Sequence, residues 1–196
     1  MNNKPTKAEA EEAVRTLIRW AGDNPNREEL LDTPERVVNS YAEFFSGYDL
    51  TIDPKTYKSF DNKNGYEEMV ILRDIRLESH CEHHMVPIIG RATVAYIPDK
   101  KIIGLSKIPR IIDVFSKRLQ IQERLVIEIA NCLDQLISPK GVGVVIESSH
   151  QCLTMRGAHR PSSLMQTSHM TGCFKENKTR REFLKMAFKS NYSHFD

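Results

Sequence analysis

The 196-residue chain has no apolar run approaching the roughly 20 residues of a membrane-spanning helix, which leaves no basis for a helical membrane protein. It has almost no excess of either charge. Against 28 Lys and Arg stand 26 Asp and Glu, and the net +2 is too small for a general nucleic-acid binder. Any anion it holds must therefore meet locally placed basic side chains. Cysteine is sparse, with four in the chain, and the polar start MNNKPTKAEAEE lacks the apolar stretch of a signal peptide. A cytoplasmic protein is the expectation. In that reducing compartment the four cysteines are thiols or metal ligands rather than disulfides, so their spacing is read for metal chemistry. Internal repeats and low-complexity segments are also missing. What remains is an ordinary globular composition, 40% hydrophobic and 28% charged, long enough to bury a core without covalent staples.

Periodicity predicts a helix over 6–22, opened by a capping box of Thr6 and Glu9, and a second from Thr33, with Pro34 in its first turn. A polar connecting loop is expected from Asp49 to Asn64. Val, Ile and Tyr then dominate 68–78 and 89–98, as in strands, with a short strand at 102–105. Helices follow near 108–119 and 122–138, then strands at 141–148 and 162–174, and a basic helix at 178–189. Helices, a strand pair, two helices and a strand pair argue for an α+β fold with an antiparallel sheet. Residues 1–66 read as an N-terminal helical segment and linker, and 67–196 as the catalytic domain.

The densest chemistry is Glu78-Ser79-His80-Cys81-Glu82-His83-His84. Three histidines, two carboxylates and a thiol fall within seven residues. Cys81 and His84 have the spacing of paired ligands on a turn around zinc, and His150-Gln151-Cys152 follows a predicted buried strand. Two thiolates and one imidazole leave the fourth tetrahedral position open, as catalytic zinc sites do. His83 and His150 then flank the ligands as candidate proton donors and acceptors. A structural Cys₂His₂ site is the plainer alternative and would take His80, His83 or His150 as its fourth ligand. His80-Cys81-Glu82 also matches the H-x-E of zinc deaminases, but their P-C-x-x-C is missing. Cys132, on a predicted helix, and Cys173 read as structural.

The segments ESHCEHHMVP (78–87), VAYIPDKKIIGLSKIPRI (94–111), QIQERL (120–125), ESSHQCLTMRG (147–157) and MQTSHMTGCFKENKTRREFL (165–184) resemble the GTP cyclohydrolase I family, as does TPERV (33–37). The resemblance implies Zn²⁺, one per subunit, on Cys81, His84 and Cys152, with His83 and His150 as acid/base groups. It also implies that Glu123, with Gln122, binds the guanine of GTP, whose N1–H and N2–H match one carboxylate. Ser106, Lys107, Arg110 and Arg156 fall on residues that hold triphosphate and ribose, and Arg36 on one that reaches a neighbouring subunit's triphosphate. The implied architecture is the tunnelling fold: an antiparallel sheet with helices on one face, assembling into a multi-subunit barrel. The implied partners are GTP and further copies of the chain, in a homodecamer of two pentamers, with no nucleic acid or membrane. The implied reaction opens the purine, releases C8 as formate and yields 7,8-dihydroneopterin triphosphate. Ile88 and Thr93 depart from residues common in the family, and Pro109 sits inside SKIPRI; none of these is a ligand.

Overall fold

The computed structural model describes residues 4–53 and 57–188. Its contacts divide the chain into two units, Met1–Ser46 and Gly47–Asp196.

The first unit carries helices α1 (Lys7–Trp20) and α2 (Thr33–Phe44). Thr6 caps α1 reciprocally: its hydroxyl accepts from the Glu9 N–H at 3.2 Å, and the Glu9 carboxylate accepts from the Thr6 N–H at 2.8 Å. Two of the free N–H groups that begin any helix are thereby satisfied. Lys7 pairs with Glu35 at 2.8 Å and ties α1 to α2.

The second unit is built on two sheets. Strands β1 (Ser59–Asp61) and β4 (Lys101–Ile103) form a small antiparallel pair. The main sheet contains β2 (Val70–Cys81), β3 (Pro87–Ile97), β5 (Leu119–Gln120), β6 (Gly141–His150) and β7 (Met165–Met170), in the order β5-β2-β3-β6-β7. Helices α3 (Lys107–Ser116) and α4 (Gln122–Ile137) cover one face. Their stripe Ile108, Ile111, Ile112, Leu125, Ile129 and Leu133 is buried against Leu77, Val94, Val144 and Ile146. Each such side chain contributes about 1.5–3 kcal/mol on leaving water. Because strand side chains alternate, Ala95 and Val145 point to the other face, where they meet Phe174 of the 3₁₀ turn at Gly172–Lys175 and Phe183 of helix α6 (Asn177–Ala187). Helices therefore cover parts of both faces, not the single face expected.

Other expectations are corrected in detail. The sheet is not wholly antiparallel, since β5 runs parallel to β2 through His80–Leu119 and Cys81–Gln120. Helix α3 stops at Ser116 because the chain must straighten into β5. The loop expected at 49–64 contains β1, and its residues 54–56 lie outside the described residues. The last strand ends at Met170, followed by a 3₁₀ turn at Gly172–Lys175. A Cβ on Gly172 would meet the Lys140 carbonyl at 2.1 Å, and its φ of +47° favours glycine as well. The last residue of the helix expected at 178–189 also lies outside the described residues.

Candidate metal centre

Strand β2 runs to Cys81 itself, and the chain turns back into β3 over Glu82–Val86. The Cys81 N–H donates to the Val86 carbonyl at 2.9 Å, and the N–H groups of His84 and Met85 converge on the Cys81 carbonyl at 3.3 and 2.8 Å. Met85 takes a left-handed φ of 54° to close this turn. The turn folds His84 back over Cys81, leaving the thiol sulfur 3.7 Å from Nδ1 of His84. From the far side, β6 ends at His150 and breaks into the short helix α5 (Gln151–Thr154), which delivers Cys152. Ligand atoms of Cys81, His84 and Cys152 all lie within 4.8 Å of one another. Sulfur at about 2.3 Å and imidazole nitrogen at about 2.0 Å from one ion subtend about 3.5 Å across a tetrahedral angle. The donor set and its spacing therefore fit a single metal ion. Burial, then the neighbouring Cys81, hold the Cys152 thiol above its ordinary value, and the Arg156 cation opposes them. A cation beside Cys152 would offset the cost of its thiolate.

His150, half-buried at the end of β6, lies two residues before Cys152. Burial pulls its imidazole below the ordinary value, and the Glu123 carboxylate pulls it back. Its Nε2 lies 2.9 Å from Oε1 of Gln122. Glu123 is exposed in the first turn of α4, while Gln122, one residue earlier, is 1% exposed. His83 is exposed on the ligand turn, 3.9 Å from Glu82.

The basic residues lie on other elements. Ser106 and Lys107 begin α3, Arg110 follows one turn on, and Lys107 sits 5.5 Å above the Tyr57 ring. Arg156 is exposed beyond α5. Arg36 belongs to the N-terminal unit and pairs with Asp32 at 3.0 Å.

A network that the sequence patterns did not single out braces the ligand turn. Arg124 donates to Glu82 at 2.6 Å, to Gln120 at 2.9 Å and to the Leu119 carbonyl at 3.1 Å. Gln120 donates onward to Phe115 and Glu128. The only hint was that Arg124 lies within QIQERL, since its partner is 42 residues away.

A helix-and-sheet chain that gathers two thiols and an imidazole, with a histidine and a carboxylate alongside, is by construction a candidate metal-dependent enzyme. The family model described as GTP cyclohydrolase I matches residues 10–188. Proteins named GTP cyclohydrolase 1 from Maricaulis maris and Sinorhizobium fredii are 50% and 49% identical, over 91% and 89% of this chain and 87% and 85% of their own. A crystal structure of the archaeosine synthase QueF-Like in the apo form is similar over 53% of this chain and 93% of its own, at 18% identity and a TM-score of 0.45. The chain belongs to the GTP cyclohydrolase I family.

Proposed function

We propose that this protein hydrolyses GTP to formate and 7,8-dihydroneopterin triphosphate, with one Zn²⁺ per subunit held by Cys81, His84 and Cys152. The convergence of those three donors beside His150 and Glu123 is the observation that carries the reading. Two thiolates and an imidazole suit zinc better than harder cations, and a bound Zn²⁺ supplies Lewis acidity toward water and purine without redox chemistry.

The chain's own residues do the rest. Glu123, exposed at the start of α4, accepts the guanine N1–H and N2–H and orients C8 toward the cluster. His83 and His150 take and return protons as water adds at C8, the imidazole ring opens and a second hydrolysis frees formate. Ser106 serves the ribose as it rearranges, and ring closure with loss of water gives the dihydropterin. Lys107, Arg110 and Arg156 hold the triphosphate, with the start of α3 offering its free N–H groups.

The catalytic domain of this reading is 67–196, with 1–66 as helical segment and linker. It adopts the tunnelling fold and works as a homodecamer of two pentamers, with Arg36 serving a neighbour's triphosphate. Among the described residues nothing pairs with the outer edge of β7, and a second copy would close it. No helix among the described residues is long and apolar enough to cross a membrane. The cytoplasm is the proposed location.

The test is incubation of the zinc-loaded protein with GTP, following formate and the fluorescence of the oxidised pterin. Release of both, abolished by a chelator and restored by Zn²⁺, is expected; a zinc-loaded protein that releases neither refutes the reading.

A further inference from the structure

Buried in the first turn of α4, Gln122 has no side-chain surface left for a substrate. Its amide nitrogen lies 3.0 Å from the Ile146 carbonyl, 3.1 Å from the Met165 carbonyl and 3.0 Å from Oγ1 of Thr167. Two of those neighbours are backbone carbonyls, which only accept hydrogen bonds. Turning the amide over would press Oε1 against both. The orientation is therefore settled by β6 and β7, and Oε1 must face the opposite way. There it meets Oγ of Ser148 at 2.5 Å and Nε2 of His150 at 2.9 Å. An amide oxygen can only accept, so both neighbours must donate.

We propose that Gln122 is a positioning residue that locks neutral His150 into its Nε2–H tautomer, so that His150 carries out all its proton transfers at Nδ1. The inference rests on the acid/base reading of His150 given above. A proton taken from the attacking water forms a bond to Nδ1 and makes the imidazolium; the same Nδ1–H bond breaks when the proton passes to the opening ring. The Nε2–H bond neither forms nor breaks, and Gln122 accepts it in both charge states. A wrong tautomer would offer an N–H where a lone pair is required. Gln122 thus meets the catalytic group and not the guanine, although it adjoins Glu123.

The most direct test uses the zinc-loaded, wild-type protein with ring-¹⁵N-labelled histidine. Solid-state spectra are taken at about pH 8.5, well above the ordinary imidazole pKa of about 6.5, so that the ring is neutral. The His150 signals are those missing from His150→Gln. A protonated Nε2 and a bare Nδ1 are expected; a protonated Nδ1 with bare Nε2 overturns the proposal. A double-mutant cycle then tests the consequence. Gln122→Ala should lower kcat about 100-fold with KM for GTP changed less than about threefold, and should cost less than about threefold more in a His150→Ala background. A raised KM with kcat intact, or full additivity with His150→Ala, overturns the positioning role. Should Gln122→Ala fail to fold, the wild-type spectrum still decides. Undiminished turnover by His150→Ala would sink the acid/base reading instead, and leaves the spectrum to judge the tautomer alone.

Discussion

At the scale of single residues, the four cysteines divide by surroundings. Cys81 and Cys152 share the cluster with His84, whereas Cys132 lies on the buried side of α4, 7% exposed. Burial pushes the Cys132 thiol from 9.0 up to about 11. The folded state then keeps a proton that the unfolded chain releases, so this contribution is whole below pH 9 and lost as pH rises toward about 11. Urea unfolding of the wild type should fall off more steeply across that window than unfolding of Cys132→Ala; parallel curves would contradict this. Glu123→Ala should raise KM for GTP at least about tenfold, the loss of a charge-assisted pair, while leaving zinc content unchanged. An unchanged KM would remove Glu123 from the guanine site. Much of this site was legible in the sequence, because ESHCEHH and HQC carry their chemistry in adjacent letters. The environment of Gln122 was not. Consecutive helical residues point about 100° apart, so Gln122 and Glu123 face core and solvent respectively, and no spacing rule connects Gln122 to Ile146 or Met165.

At the scale of elements, the metal donors sit at or just beyond the ends of two strands that do not pair with each other. Cys81 ends β2, Cys152 follows β6, and β3 lies between them. The spacing of those strands therefore bears on the site. Gly90 of β3 opposes Ser148, and a Cβ there would meet the Glu147 carbonyl at 2.2 Å and Cβ of Ser148 at 2.4 Å. Gly90→Ala must push β6 aside. It should cost about 1–3 kcal/mol in urea unfolding and speed zinc loss to a chelator. Wild-type behaviour in both would contradict this account of the sheet. Arg124→Ala cuts the tie from α4 to Glu82 on the ligand turn, and should likewise speed chelation, by about tenfold, with little change in KM. The long elements were readable from period 3.6 and alternation. β1 was not, because it lies in a polar stretch, nor was β5, whose two residues hold too little pattern, and the parallel β2–β5 pair depends on a contact 39 residues apart in sequence.

At the scale of the whole molecule, the proposed decamer would cover surface that one chain leaves bare. Leu17 and Trp20 of α1 are 63% and 86% exposed, and β7 leaves an outer edge unpaired among the described residues. Apolar side chains and open edges of this kind are normally covered. Sedimentation velocity should find a species about ten times the 22.6 kDa chain, and a monomer active at assay concentration would refute the decamer. The proposed metal centre itself is one ion within one chain. X-ray absorption at the zinc edge of the loaded protein measures it directly. Two sulfurs at about 2.3 Å and two lighter atoms at about 2.0 Å are expected, with only one of the light atoms an imidazole nitrogen and one sulfur lost in Cys152→Ser. A spectrum with two imidazoles beside the two sulfurs, or one unaltered by Cys152→Ser, would contradict the proposed centre.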